Sequence, residues 1–311
     1  MTLTIVGAGM AGLLAANLLS HHDVEVVESQ TQLPNNHSAV LRFRTANVGT
    51  ALHIPFKPVQ MIKDALRWRN PVADALAYSY KNHKCYRSDR SISSGLISET
   101  RYIAPDDLVP RMAARVKIKY GVKWETQVAF PPTISTIPMP ALMKLLNFSP
   151  LPVFEYVEGC NISTWIEDCD AYVSLLVPDP AYTFSRVSLM GDKIIVECPT
   201  LTDADIEVDE PIELVAQAAY LLGLDNCNID HNHVTVQKQQ YAKIQPIDND
   251  LRKQFIWWAT DQCNIYSLGR FATWRPNLLL DDLLQDVQLI DHWLSSLDRY
   301  SLAKLRVGAE R

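Results

Sequence analysis

The feature that most constrains this chain is a glycine turn set between a short apolar strand and a leucine-rich helix within residues 3–20. Leu3 to Val6 is a run of apolar and β-branched residues, Gly7-Ala-Gly9-Met-Ala-Gly12 comes next, and Leu13 to Ser20 continues with the helical spacing of leucine and alanine. Each glycine has a mechanical reason. Gly7 permits the tight turn, Gly9 lets backbone approach a pyrophosphate, and Gly12 lets the helix pack on the strand. Around Met10 and Ala11 the helix mouth then offers free N–H groups and a partial positive charge to phosphates. A second strand, Val24 to Val27, ends at Glu28, about twenty residues beyond the turn, where a carboxylate can accept both hydrogen bonds of an adenosine ribose diol. That favours an unphosphorylated ribose, as in FAD or NAD.

The rest of the composition limits what surrounds this unit. A chain of 311 residues has room for two lobes, and 48% hydrophobic with 21% charged residues is the balance of a globular protein. No run of eighteen apolar residues occurs, and the apolar start runs straight into glycines instead of a leader-peptide cleavage region, so the expectation is a cytoplasmic protein that does not enter a membrane. A net charge of -6 argues against a general electrostatic grip on nucleic acid, and leaves room for a local basic groove. Cys85, Cys160, Cys169, Cys198, Cys227 and Cys263 show neither a CxxC pair nor zinc-site spacing and read as reduced thiols. His231 and His233 would share one face and could bind a metal if Asp230 to Val234 were a strand, but such motif matches mislead more often than they bind, and no metal is expected.

Three later segments bear on the choice between FAD and NAD. Pro105 to Val116 reads as a helix leading to a short strand at Tyr120-Gly-Val122-Lys-Trp124, with Val122 placed at the cofactor. Thr133 to Ile137 is a β-branched strand halted by Pro138 and Pro140, with an apolar helix over Ala141–Leu146. Asn264 to Leu268 is a strand ending in a Gly269-Arg270 turn, and a helix rich in leucine and aspartate is expected from Asn277 to about Leu294. Together with Gly7, Gly9, Gly12 and Glu28, the Ile134–Pro138 strand and the Leu268-Gly269-Arg270 turn resemble flavin amine oxidases and, more closely, UDP-galactopyranose mutase-like flavoproteins. The resemblance covers about the first fifty residues, the region 100–146 and the last fifty, and it implies FAD, with backbone near Arg270 to Trp274 and the start of the last helix (Asn277) against the flavin ring. The chain lacks the mutases' histidine-glycine-glycine segment. Ala39 to Thr45 and Ile54 to Val59 are also similar to flavoproteins of large bacterial viruses, some of them flavin-dependent lyases that trim amino acids attached to thymine in DNA.

The resulting fold class is α/β: a Rossmann-like FAD-binding domain of the two-dinucleotide-binding type (1–59, 100–146, 250–311) with an inserted α+β substrate domain built on an antiparallel sheet (60–99, 147–249). Ala171 to Val177 and Lys193 to Cys198 read as strands of a sheet roofing the flavin, and Glu213–Leu222 as a helix with a core-packing face. Arg42 and Arg44 would turn both guanidiniums to one anion or carboxylate of the cofactor or substrate if their segment is extended, with Lys57 nearby in sequence; a solvated strand edge is the alternative. Arg186, on a roof strand, either clamps a substrate carboxylate or phosphate or forms a surface ion pair. Tyr182 and Trp274 either wall an apolar pocket beside the flavin or pack in the core, and Trp257 and Trp258 read as core in a β-rich run. Catalytic candidates are therefore Trp274, Tyr182 and Arg186, and the expected activity is oxidation of a C–N bond in an amine or amino-acid-like substrate, free or nucleotide-linked, with DNA-borne thymine adducts included. A sugar-nucleotide mutase and a non-catalytic flavin-binding module are the other two readings.

Overall fold

The structure is a computed structural model that describes residues 2–33, 40–84, 92, 95–125, 132–199, 210–224 and 229–295. Cys85, Cys227 and Ala39 lie outside them. In chain order the elements are β1 (Leu3–Val6), α1 (Met10–Leu18), β2 (Val24–Val27), β3 (Arg42–Phe43), α2 (Asn47–Leu52), β4 (Lys57–Ala65), α3 (Pro71–His83), β5 (Ile97–Ile103), α4 (Leu108–Ala113), β6 (Ile118–Lys119), β7 (Thr133–Ser135), α5 (Met139–Leu145), β8 (Tyr156–Trp165), β9 (Ala171–Leu176), β10 (Arg186–Gly191), β11 (Lys193–Cys198), α6 (Glu210–Leu221), β12 (Thr235–Ile244), α7 (Asn249–Cys263), β13 (Ile265–Ser267) and α8 (Asp282–Ser295).

Five strands make one all-parallel sheet in the order β13-β7-β1-β2-β6. β1 lies at its centre, and Leu3, Ile5 and Val6 are buried, as expected of a parallel strand covered on both faces. α1 is apolar almost all round: Leu13, Leu14, Ala15 and Ala16 are buried, because the helix is packed by β1, β2, α4 and α8 together. The last strand, β13, thus joins the sheet opened by the first, and the start and end of the described chain build one α/β layer.

The other eight strands form a mixed sheet in the order β12-β8-β11-β10-β9-β4-β5-β3. Every pairing in it is antiparallel except β4 with β9. Its core packs α6 through Leu214, Val215, Ala218 and Ala219 against Ile162, Val187, Ile194 and Val196. β3 and the whole of β5 pair in this second sheet, so the chain leaves the first sheet earlier than a boundary at residue 59 and rejoins it later than residue 100.

Several elements differ from the sequence reading. The strand expected at Tyr120–Trp124 is instead β6, two residues earlier, because Gly121 turns with φ +68° and its N–H bonds back to the Gln30 carbonyl. Trp257 and Trp258 lie on α7, a helix: Asp248 accepts the Leu251 N–H at its start, and Asn264 closes it in the left-handed region. His231 and His233 occupy a 3-10 turn, where His233 Nδ1 lies 2.6 Å from Asp230 Oδ2. The last helix begins at Asp282, not Asn277. The Asp282 carboxylate accepts the Leu279 N–H at 2.8 Å, and the preceding residues run as turns that leave Asn277 exposed.

Candidate functional site

The site grows from the glycine turn. Gly7 has φ +100°, and a Cβ there would lie 2.2 Å from Thr136 Oγ1, whose hydroxyl donates to the Val6 carbonyl at 2.7 Å. A Cβ on Gly12 would lie 1.9 Å from the Gly7 carbonyl oxygen, so no side chain fits between helix and turn. At Gly9, by contrast, a Cβ would meet nothing within 4 Å. Gly9 is the extended N-cap of α1, and the helix has no side-chain cap and no acidic residue in its first turn. Its first N–H groups at Met10, Ala11 and Gly12 therefore face outward with the dipole's positive end, over open backbone. A diphosphate fits that cradle.

Glu28 is buried at the end of β2. Its Oε2 accepts the Ala8 N–H at 2.8 Å, and its Oε1 accepts the Gln30 N–H at 2.9 Å and the Ser29 hydroxyl at 3.2 Å. The carboxylate is thus locked beside the turn, with one acceptor site on Oε2 open to a ribose hydroxyl and a second freed when the Ser29 hydroxyl rotates away. Val122 sits next to it, its N–H donating to the Glu28 carbonyl at 2.9 Å.

The far end of the chain returns to this mouth. Gly269, with φ +101°, comes just after β13, and a Cβ on it would stand 3.1 Å from Ala11 Cβ. The Gly269 carbonyl accepts the N–H and the hydroxyl of Thr273, at 2.9 and 2.7 Å, which shapes the turn that carries Arg270. Arg270 lies over the Phe271 ring, 5.7 Å from its centroid. Trp274 is not a wall of an open cleft. It is among the most buried side chains, its Nε1–H donates to the Gln245 carbonyl at 2.8 Å, and Phe154 and Tyr241 meet its ring edge to face.

On the second sheet, Arg186 and Glu197 face each other across β10 and β11, with Nη2 to Oε2 at 2.7 Å. Lys243 Nζ approaches the same oxygen at 3.5 Å. No local pattern of residues marks Lys243; it is brought in by a bulge in β12, whose register against β8 shifts between Gln239 and Lys243. Glu197 had one legible signal, an acid inside the apolar strand Lys193–Cys198. Burial pushes the Glu197 carboxyl up, but Arg186 and Lys243 outweigh it and hold the pKa at about 2. Burial, with Arg186 and Arg270 adding to it and Glu197 opposing, brings Lys243 down to about 8. Arg42 is within electrostatic range of Arg186 and Glu197, and burial first, then Arg186, lowers it to about 10. Three cations therefore surround one carboxylate, and Arg186 Nε is buried without a hydrogen-bond partner among the described residues. The surplus positive charge suits an anion.

Other expected site residues separate. β3 ends at Phe43, so Arg42 and Arg44 are not held as a pair: Arg42 Nη1 reaches Met61 Sδ at 2.9 Å, whereas Arg44 is exposed, its N–H bonded to both oxygens of Asp281 at 3.0 Å. Lys57 pairs elsewhere, with Asp170 at 2.9 Å. Tyr182 packs on Phe184 in the loop before β10. Cys169 and Cys263 are free thiols, and no helix among the described residues is long and apolar enough to cross a membrane.

A family model for NAD(P)-binding Rossmann-like domains matches residues 5–65, a span that runs from β1 through the glycine turn to the end of β4. Reduced UDP-galactopyranose mutase is 13% identical over 94% of this chain and 93% of that one, with a TM-score of 0.66. The fold is the same. An oxidoreductase from Methanosarcina mazei superposes at 10% identity over 94% of this chain and 100% of its own, TM-score 0.58. A probable FAD-dependent monooxygenase from Pseudomonas aeruginosa does so at 14% identity over 100% and 91%, TM-score 0.53. No curated protein matches the chain by sequence. The shared architecture is a parallel Rossmann-like sheet joined to a mixed sheet.

Proposed function

We propose that the chain is an FAD-dependent oxidoreductase that oxidises the C–N bond of an anionic, amino-acid-like amine. The observation that carries the cofactor half is the packing of the Gly269 turn on Ala11. It places the chain's second glycine turn at the same helix mouth that the first one opens, so an extended dinucleotide has protein at its diphosphate and beyond it. The structural relatives include a UDP-galactopyranose mutase and a probable FAD-dependent monooxygenase, which supports FAD over NAD. When bound, FAD supplies a hydride acceptor.

This chain's residues would do the holding. The Met10 to Gly12 N–H groups receive the diphosphate, and Glu28 accepts the ribose hydroxyls. Arg186 and Lys243, tied by Glu197, take the substrate's carboxylate, with Arg42 and Arg270 deepening the positive field. An amino acid attached to thymine is one substrate of this kind. The test is the absorption spectrum of the purified protein, the mass of its released cofactor, and flavin bleaching on anaerobic addition of amino acids or amino-acid-modified thymidine. A colourless protein that refuses added FAD would end the reading; turnover of UDP-galactopyranose by the dithionite-reduced protein alone would replace its second half with a mutase.

A further inference from the structure

A different cluster lies at the other end of α1, about 13 Å from the diphosphate mouth by the helical rise over nine residues. His21 and His22 lie past the end of that helix in the turn before β2, and both turn their Nε2 atoms to a single oxygen of Asp291, on α8, at 3.0 and 2.8 Å. The two imidazole centroids are 4.2 Å apart. One candidate ligand atom from each residue lies within 4.8 Å of the others. The arrangement spans the chain: 269 and 270 residues separate the histidines from the aspartate.

The packing beneath fixes this geometry. Leu19 is buried just before the histidines and Ile290 just before Asp291, both in the core shared by α1 and α8. The His22 N–H is bonded to the Leu19 carbonyl at 2.9 Å, so the turn is closed. The side chains above that core remain partly open to water, His21 by 54%, His22 by 26% and Asp291 by 34%, so an ion has a way in.

We propose that His21, His22 and Asp291 form a binding site for a divalent transition-metal ion of the zinc, cobalt or nickel type. Two imidazoles and one carboxylate are the donors such ions take, and three protein ligands leave further positions for water. An ion about 2.0–2.1 Å from each donor separates neighbouring donors by about 3 Å, the N–O spacing already present here. Adjacent imidazoles sharing one carboxylate oxygen need only exchange N–H protons for the metal. Such an ion would join the first helix of the cofactor layer to its last, acting as a clasp and not in the redox chemistry.

The test is titration of the full-length, metal-stripped protein with cobalt(II), monitored by visible d–d absorption and by Tm. One equivalent should bind saturably, with the spectrum of nitrogen and oxygen donors, and raise Tm by several degrees. His22→Ala and Asp291→Asn should each abolish both signals while circular dichroism and flavin content stay unchanged, and a His231→Ala/His233→Ala control should bind as wild type. Absence of saturable binding, retention of it in Asp291→Asn, or a thiolate-to-cobalt charge-transfer band would overturn the proposal.

Discussion

Gly269 and Ala11 are 258 positions apart in the chain, the difference of their numbers, yet a methyl group on Gly269 would stand 3.1 Å from the Ala11 Cβ. This contact closes the cofactor layer, since it seats the turn after the last strand on the first turn of the first helix. Gly269 also has φ +101°, which side chains disfavour by on the order of 1–3 kcal/mol. Gly269→Ala should therefore lower stability by roughly that amount and weaken FAD binding at least tenfold; denaturant midpoints and flavin fluorescence titration measure the two.

Gly9 and Gly12 separate folding from binding. A methyl on Gly12 collides with the Gly7 carbonyl, so Gly12→Ala should cost more than about 2 kcal/mol and reduce soluble yield. At Gly9 the space is open and φ is -76°, so Gly9→Val should leave the apoprotein's Tm within a few degrees of wild type while FAD retention is lost. Equal flavin content in Gly9→Val and wild type would show that the helix mouth holds no phosphate.

The glycine turn was legible because Gly7 and Gly12 answer separate steric demands of the chain itself within twelve residues. Glu28 was legible for the same reason, being placed by one strand and one turn. The roof was not. Glu197 and Lys243 are 46 residues apart, and only the pairing of β11 with β8 and of β8 with β12, plus the β12 bulge, brings their charges together. The helix α8 starts later than Asn277 because its first residue, Asp282, and the preceding Asp281 spend their carboxylates on backbone N–H groups, and the residues before them run as turns. Asp281 accepts the N–H groups of Arg44 and Thr45, while Asp282 receives Leu279. Trp274 carried no local sign of its burial, which depends on Phe154, Tyr241 and the Gln245 carbonyl.

Trp274 then becomes a stability residue. Trp274→Ala should cost about 3–5 kcal/mol from lost core volume, and Trp274→Phe roughly 1 kcal/mol through loss of the indole hydrogen bond to the Gln245 carbonyl. Thermal unfolding should show this order, with the flavin spectrum of Trp274→Phe unchanged.

The charged roof predicts a pH dependence of two signs. Glu197 titrates at about 2 when folded, below its usual value, so its contribution to stability is present above the unfolded carboxylate range and is lost as pH falls from about 4.5 toward 2. Lys243 is the opposite case among bases: its folded pKa, about 8, lies below the unfolded one, so the unfolded chain binds the extra proton and stability rises with pH between about 8 and 10.5. Substrate binding should move the other way over that same interval. Glu197, Arg186 and Arg270 are the charges facing Lys243; Arg186 and Arg270 stay protonated and Glu197 stays ionised, while Arg42, lowered to about 10, starts to lose its proton only at the top of this interval, so near pH 8 the lysine is the group that changes charge. KM for an anionic amine should therefore climb above pH 8 with kcat little altered at saturation, and Lys243→Arg should keep KM flat to about pH 9, below the range in which Arg42 loses its proton, because a guanidinium holds its charge there. A KM profile that is the same in wild type and Lys243→Arg would remove the roof cations from substrate recognition and leave them as a buried ion-pair network.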